Sequence, residues 1–116
     1  RLIYEMYKKN LEGKDGLIFQ EITNKVKPVI WAFALYLESK FFPQGRDKVI
    51  LQMDSLGIET RPGFYTPHAI KYFNSDINPV SEDVSSSVIV LPTYLDLDIE
   101  KINYISKSLL SLRVFD

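Results

Sequence analysis

Residues 29–37, Val29-Ile30-Trp31-Ala32-Phe33-Ala34-Leu35-Tyr36-Leu37, form the longest apolar run in the chain and constrain its fold more than any other segment. The run follows Pro28, is rich in β-branched and aromatic residues, and is apolar at both alternating sets of positions. That pattern predicts a central strand covered on both faces, with Trp31 in the core. The run falls far short of the roughly 18 residues of a membrane span, so no membrane partner is expected. With 116 residues the chain has room for one domain and hardly more. Folding at this size buries roughly two-thirds of the unfolded surface, enough for an independent core.

The flanking segments predict the other elements. Leu2, Ile3, Met6, Tyr7 and Leu11 recur on one side of a helix that ends at Gly13. No Ser, Thr, Asp or Asn cap and no initiator Met precedes that helix. The expectation is a domain whose chain continues upstream, the alternative being a removed tag. Residues 17–20 read as a short strand and 21–28 as a polar connection. A second helix is predicted over 46–56, with Val49, Ile50, Met53 and Leu56 as its stripe. Gly57 then takes the left-handed position and Ile58 folds back as a hydrophobic clasp. Residues 58–60 read as the next strand.

Residues 61–78 are long for a connection and hold two of the six prolines, the single histidine and Phe64, Tyr65, Tyr72 and Phe73. Ordered loops of this length are usually functional. A short helix begins at Asn78-Pro79, with Val80, Val84 and Val88 as a narrow inner face. Residues 88–92 form a buried strand closed by Pro92. Asp98 caps the last helix, Leu97 and Ile102 have the spacing of a hydrophobic staple, and Ile99, Ile102, Ile105, Leu109 and Leu112 form its core face. The order predicts an α+β domain: a small mixed sheet of three or four strands, covered mainly on one face by the first, second and last helices. A non-enzymatic ferredoxin-like module that senses a small ligand alternates its elements similarly, and the long 61–78 loop argues against it.

Composition removes several function classes. A net charge of −1 gives no basic footprint for nucleic acid. The absence of cysteine removes disulfides, thiol nucleophiles and thiolate metal sites, and mildly favours a reducing compartment. A metal site built around His68 would need carboxylates alone, and no metal is expected. Asp96, Asp98 and Glu100 cluster, but they open a helix, where acidic residues complement the dipole. Ser85, Ser86 and Ser87 have no base in a recognisable constellation. The glycines at 13, 16, 45, 57 and 63 are too scattered for a phosphate loop. Arg61 stands out among the remaining residues. Its planar fork suits a carboxylate or phosphate, and it sits where a strand hands over to the long loop. A surface ion pair is the competing reading, and the two stand level on local grounds.

The run from Gly57 to His68, Gly-Ile-Glu-Thr-Arg-Pro-Gly-Phe-Tyr-Thr-Pro-His, resembles a signature of the DegT/DnrJ/EryC1/StrS aminotransferases. The surroundings follow the same order: a helix like that of Tyr7 to Leu11, the Trp31/Phe33 strand pattern, the Arg46-Asp47 helix start, Leu91-Pro92-Thr93 and a final Ile-rich helix. Thr66-Pro67-His68 departs from the commoner Pro-Leu-His order of that family. The resemblance covers nearly the whole chain, but only the C-terminal part of the family. It implies the C-terminal small domain of a fold-type-I aminotransferase that uses pyridoxal 5'-phosphate (PLP), over residues 1–116. The PLP-binding lysine would lie in an N-terminal domain outside this chain, leaving no catalytic or cofactor-binding residue here. The implied reaction moves an amino group from glutamate to a nucleotide-linked keto-deoxysugar. The Glu59-Thr60-Arg61-Pro62 form looks closest to perosamine-synthase-like members, of the kind that serve bacterial lipopolysaccharide O-antigen. By resemblance Arg61, His68, Phe64 and Tyr65 contact substrate. The protein would be a cytoplasmic homodimer, with the N-terminal domain as this domain's partner.

Overall fold

A computed structural model describes residues 2–29, 31–63, 69 and 78–115. The described elements are α1 (Leu2–Leu11), β1 (Leu17–Phe19), β2 (Phe33–Leu37), α2 (Arg46–Ser55), β3 (Arg61–Pro62), α3 (Pro79–Ser87), β4 (Val88–Leu91) and α4 (Ile99–Ser111). The four strands form one sheet in the order β1-β2-β4-β3. The α+β expectation holds, but each of the three strand pairings is antiparallel, so the sheet is not mixed in its neighbours. Strand β4 is inserted between β2 and β3, which makes β2-α2-β3 a split unit of the kind also found in ferredoxin-like folds.

Register sorts the side chains. Leu17, Phe19, Phe33, Leu35, Leu37, Ile89 and Leu91 share one face of the sheet. Ile18, Ala34, Tyr36, Val88, Val90 and Arg61 share the other. The first set meets Tyr7 and Leu11 of α1, Val49 and Met53 of α2, and Ile102, Ile105 and Leu109 of α4 in one continuous core. Burying each large apolar side chain there contributes about 1.5–3 kcal/mol. Phe33 is the centre of this layer. Its ring stacks on Tyr7 at 4.8 Å between centroids and is met by Tyr4 at 5.4 Å and by Phe19 edge-on at 5.6 Å.

The helix ends follow local chemistry. Asn78 accepts from the Val80 and Ser81 amides at the start of α3, and Asp98 accepts from the Lys101 amide at the start of α4. The staple residues Leu97 and Ile102 are both buried. After α2 the Gly57 amide donates to the Asp54 carbonyl and the Ile58 amide to the Met53 carbonyl, with Gly57 at φ 80°. That double bond pattern is a Schellman motif, and buried Ile58 with buried Met53 supplies its apolar contact.

Several expectations change. Strand pairing in the long apolar run covers Phe33–Leu37, and Val29 and Trp31 are exposed. Helices α1, α2 and α4 pack on one face, while α3, which contacts β2 and β3, buries none of its own residues. Among the described residues the second face of β2 meets α3 alone, through the bond from the Tyr36 hydroxyl to Asp83, and Trp31 is not core. Val80 and Val84 are exposed for the same reason, and Val88 belongs to β4 because α3 turns directly into the strand. The predicted strand at 58–60 alternates correctly, with Ile58 and Thr60 buried and Glu59 exposed, but its pairing begins at Arg61. Leu2, Leu56 and Ile99 are also exposed. None of the described helices is long and apolar enough to cross a membrane.

Candidate functional site

Arg61 enters the sheet opposite Val90, on the second face beside Ala34. Its Nη2 donates to Glu59 Oε1 at 3.2 Å, with both side chains 77% exposed. An ion pair at that exposure contributes about 0–1 kcal/mol, so a stronger anion can displace the carboxylate. The guanidinium lines a cleft of about 610 Å³ at the end of the sheet where β4 runs into Pro92 and Thr93. Val90, Leu91 and Ile105 are apolar parts of its lining; Trp31, Tyr94 and Tyr104 supply aromatic rings, and Lys101 a second cation. The Tyr104 hydroxyl donates to the Leu56 carbonyl at 2.8 Å, and Thr93 Oγ1 to the Trp31 carbonyl at 3.2 Å. These bonds tie α4 to the end of α2, and the segment after β4 to the segment before β2. Cationic, aromatic and apolar groups in a cleft of this size suit a planar or sugar-like ligand bearing a carboxylate or phosphate.

Phe64, Tyr65 and His68 lie outside the described residues. The chain that carries them leaves β3 through Gly63, whose amide bonds to the Val88 carbonyl. Val88 starts β4, whereas the cleft sits at its other end, so Gly63 and the cleft are separated along β4. Sequence reasoning missed Trp31, Tyr94 and Tyr104 as lining residues. Trip-wires for them were weak: the apolar run placed Trp31 inside, and isolated tyrosines carry no spacing signal.

The described residues do not assemble an acid–base centre. Among the described residues the two groups with displaced acidities are tyrosines, and both move away from neutral pH. Burial, then the neighbouring Tyr94, pushes the Tyr7 hydroxyl up. The hydrogen bond to Asp83, with lesser help from burial, raises Tyr36. No group of three metal-ligating side chains occurs among the described residues. Asp98 is a helix cap, and Ser86 Oγ donates to the Asp83 carbonyl. The described residues also do not fit PLP. That cofactor needs a buried lysine in a walled pocket, and each described lysine is exposed or half-buried.

Residues 1–110 match the profile of the DegT/DnrJ/EryC1/StrS aminotransferase family. The chain belongs to this family. Solved aminotransferase structures share its fold. DesI, determined in the presence of its TDP-sugar product, superposes with a TM-score of 0.83 at 17% identity, over 96% of this chain and 29% of that one. PseC of Helicobacter pylori, an aminotransferase of pseudoaminic acid biosynthesis, gives 0.81 at 18% identity, over 96% and 31%. A Streptococcus pneumoniae sugar aminotransferase in its PLP-form gives 0.77 at 17%, over 95% and 29%. The chain thus spans under a third of each. A comparison with curated protein sequences gives no match. Membership in an aminotransferase family does not favour the ferredoxin-like sensing module, and it makes PLP the family's cofactor.

Proposed function

We propose that this chain is the C-terminal small domain of a PLP-dependent aminotransferase that moves an amino group from glutamate to a nucleotide-linked keto-deoxysugar. The observation that carries the reading is the family match over residues 1–110, joined to a chain length under a third of the neighbours'. DesI, crystallised with a TDP-sugar, supports the nucleotide-sugar substrate class. PLP and its lysine belong to an N-terminal domain, and the chain by itself is not catalytic. The perosamine-synthase-like subfamily, a homodimer and a cytoplasmic, bacterial O-antigen role complete the proposal.

Within it, Arg61, His68, Phe64 and Tyr65 contact substrate. Arg61 exchanges the Glu59 carboxylate for a substrate anion, through two parallel N–H bonds that orient it. Trp31, Tyr94 and Tyr104 shield the bound group from water.

The test is nitrogen transfer. The full-length protein, supplied with PLP, glutamate and a TDP-linked keto-deoxyhexose, releases 2-oxoglutarate with formation of the amino sugar. Residues 1–116 alone do neither, and no single lysine gives a stoichiometric borohydride-trapped adduct with PLP. Transfer failing in the full-length protein with every nucleotide-linked keto sugar offered rejects the proposal.

A further inference from the structure

Two donors from separate parts of the chain meet at the Val88 carbonyl. It accepts from the Gly63 amide at 3.1 Å and from Arg46 Nη1 at 2.8 Å. The same Nη1 donates to the Ser85 carbonyl at 2.7 Å, in the last turn of α3. Nε donates to Asp47 Oδ1 at 2.8 Å, and the Arg46 side chain is 9% exposed. A shielded guanidinium makes strong, charge-assisted bonds, and the C-terminal end of a helix favours a cation.

Strand β3 depends on that atom. Arg61 opposes Val90, Pro62 opposes Ile89, and the Gly63–Val88 bond extends the ladder by one pair. Antiparallel ladders alternate bonded and non-bonded pairs. Because Gly63–Val88 is bonded, Pro62 falls at the non-bonded position, where its missing N–H is tolerated on an edge strand. Arg61–Val90 is then the next bonded pair. Two pairs flanking a proline hold the strand, and one shares its acceptor with Arg46.

We infer that Arg46 is a positioning residue for Arg61. By fixing the Val88 carbonyl, it fixes the sheet edge from which the Arg61 guanidinium reaches the cleft. The inference rests on the reading of Arg61 as a substrate contact. Glycine at 63 fits the same requirement, since a Cβ there would come within 3.2 Å of the Val88 side chain.

Two measurements on the full-length protein test it. In Arg46→Met, amide hydrogen exchange at Gly63 and Val90 speeds up about ten-fold or more, the order expected for losing a charge-assisted bond, while the α1 amides keep their rates. In the transfer assay with glutamate and a TDP-linked keto-deoxyhexose, Arg46→Met lowers kcat/KM about ten-fold, mainly through KM, and Arg46→Lys recovers part of it. The deciding comparison is the cycle with Arg61→Ala. If Arg46 acts through Arg61, Arg46→Met costs little more once Arg61 is gone. Equal losses with and without Arg61, or unchanged exchange at Gly63, overturn the inference. Should Arg46→Met not fold, Arg46→Lys goes through the same cycle. A wild-type protein without transfer activity rejects the aminotransferase reading instead, and exchange at Gly63 then decides whether Arg46 holds β3.

Discussion

The Tyr7 hydroxyl donates to the Pro92 carbonyl at 2.7 Å, tying the first helix to the residue that ends β4, while the Tyr7 ring stacks on Phe33. Tyr7 is fully buried. Its hydroxyl satisfies a carbonyl that no further strand residue follows, and its ring fills the layer between α1 and β2.

Tyr7→Phe keeps the ring and strands the Pro92 carbonyl. The expected loss is about 1–3 kcal/mol, and Tyr7→Ala, which also empties the ring site, costs about 3–5 kcal/mol. Urea denaturation of the two variants measures both.

Alkaline pH acts through the same group. Burial holds the folded Tyr7 above the ordinary tyrosine range, so the native state keeps a proton that the unfolded chain releases. The stabilisation is complete below roughly pH 10, where an unfolded tyrosine titrates, and falls as pH rises beyond it. Tyr36, also raised, adds to the same trend. Stability measured from neutral pH upward is expected to decline past that point, with a shallower decline in Tyr7→Phe.

Two glycines separate steric conflict from backbone strain. Gly16 has φ 89°, and a Cβ there would lie 2.7 Å from Phe41 Cβ. Gly57 has φ 80° with nothing within 4 Å. Gly57→Ala therefore carries conformational strain alone, about 1 kcal/mol. Gly16→Ala adds overpacking of about 1–3 kcal/mol. The order of melting temperatures is wild type, then Gly57→Ala, then Gly16→Ala.

The last helix tests the core assignment. Ile105→Ala and Leu97→Ala remove buried side chains and are expected to cost about 2–5 kcal/mol each. Leu95 is 98% exposed, and Leu95→Ala should stay within about 0.5 kcal/mol. Denaturation midpoints decide the comparison.

For the proposed site, Arg61→Lys keeps the charge and loses the fork. A loss of about 1.5–3 kcal/mol in transition-state binding gives roughly ten- to a hundred-fold lower efficiency in the full-length enzyme. Glu59→Gln removes the competing carboxylate and should lower KM for the substrate that Arg61 holds. Separate half-reactions with glutamate and with the keto sugar show which substrate that is.

The sequence by itself determined the features whose causes lie within a turn or two. Asn78 and Asp98 cap helices because their side chains reach amides two or three residues on. Gly57 ends α2 because the left-handed position favours glycine, and the spacing of Ile102, Ile105 and Leu109 gives α4 its core face. Arg61 was legible as a candidate from its chemistry and from the family signature around it. Tertiary structure alone decided which apolar surfaces are covered. Residues 29–37 are apolar on both sides, and alternation cannot say that the helices of this chain cover one of them, leaving Trp31 exposed beside the cleft. Nor could local pattern place Arg61 opposite Val90, or bring Arg46, Ser85 and Gly63 to the Val88 region. Those partners are far apart in the chain, and long-range register sets where each meets the others.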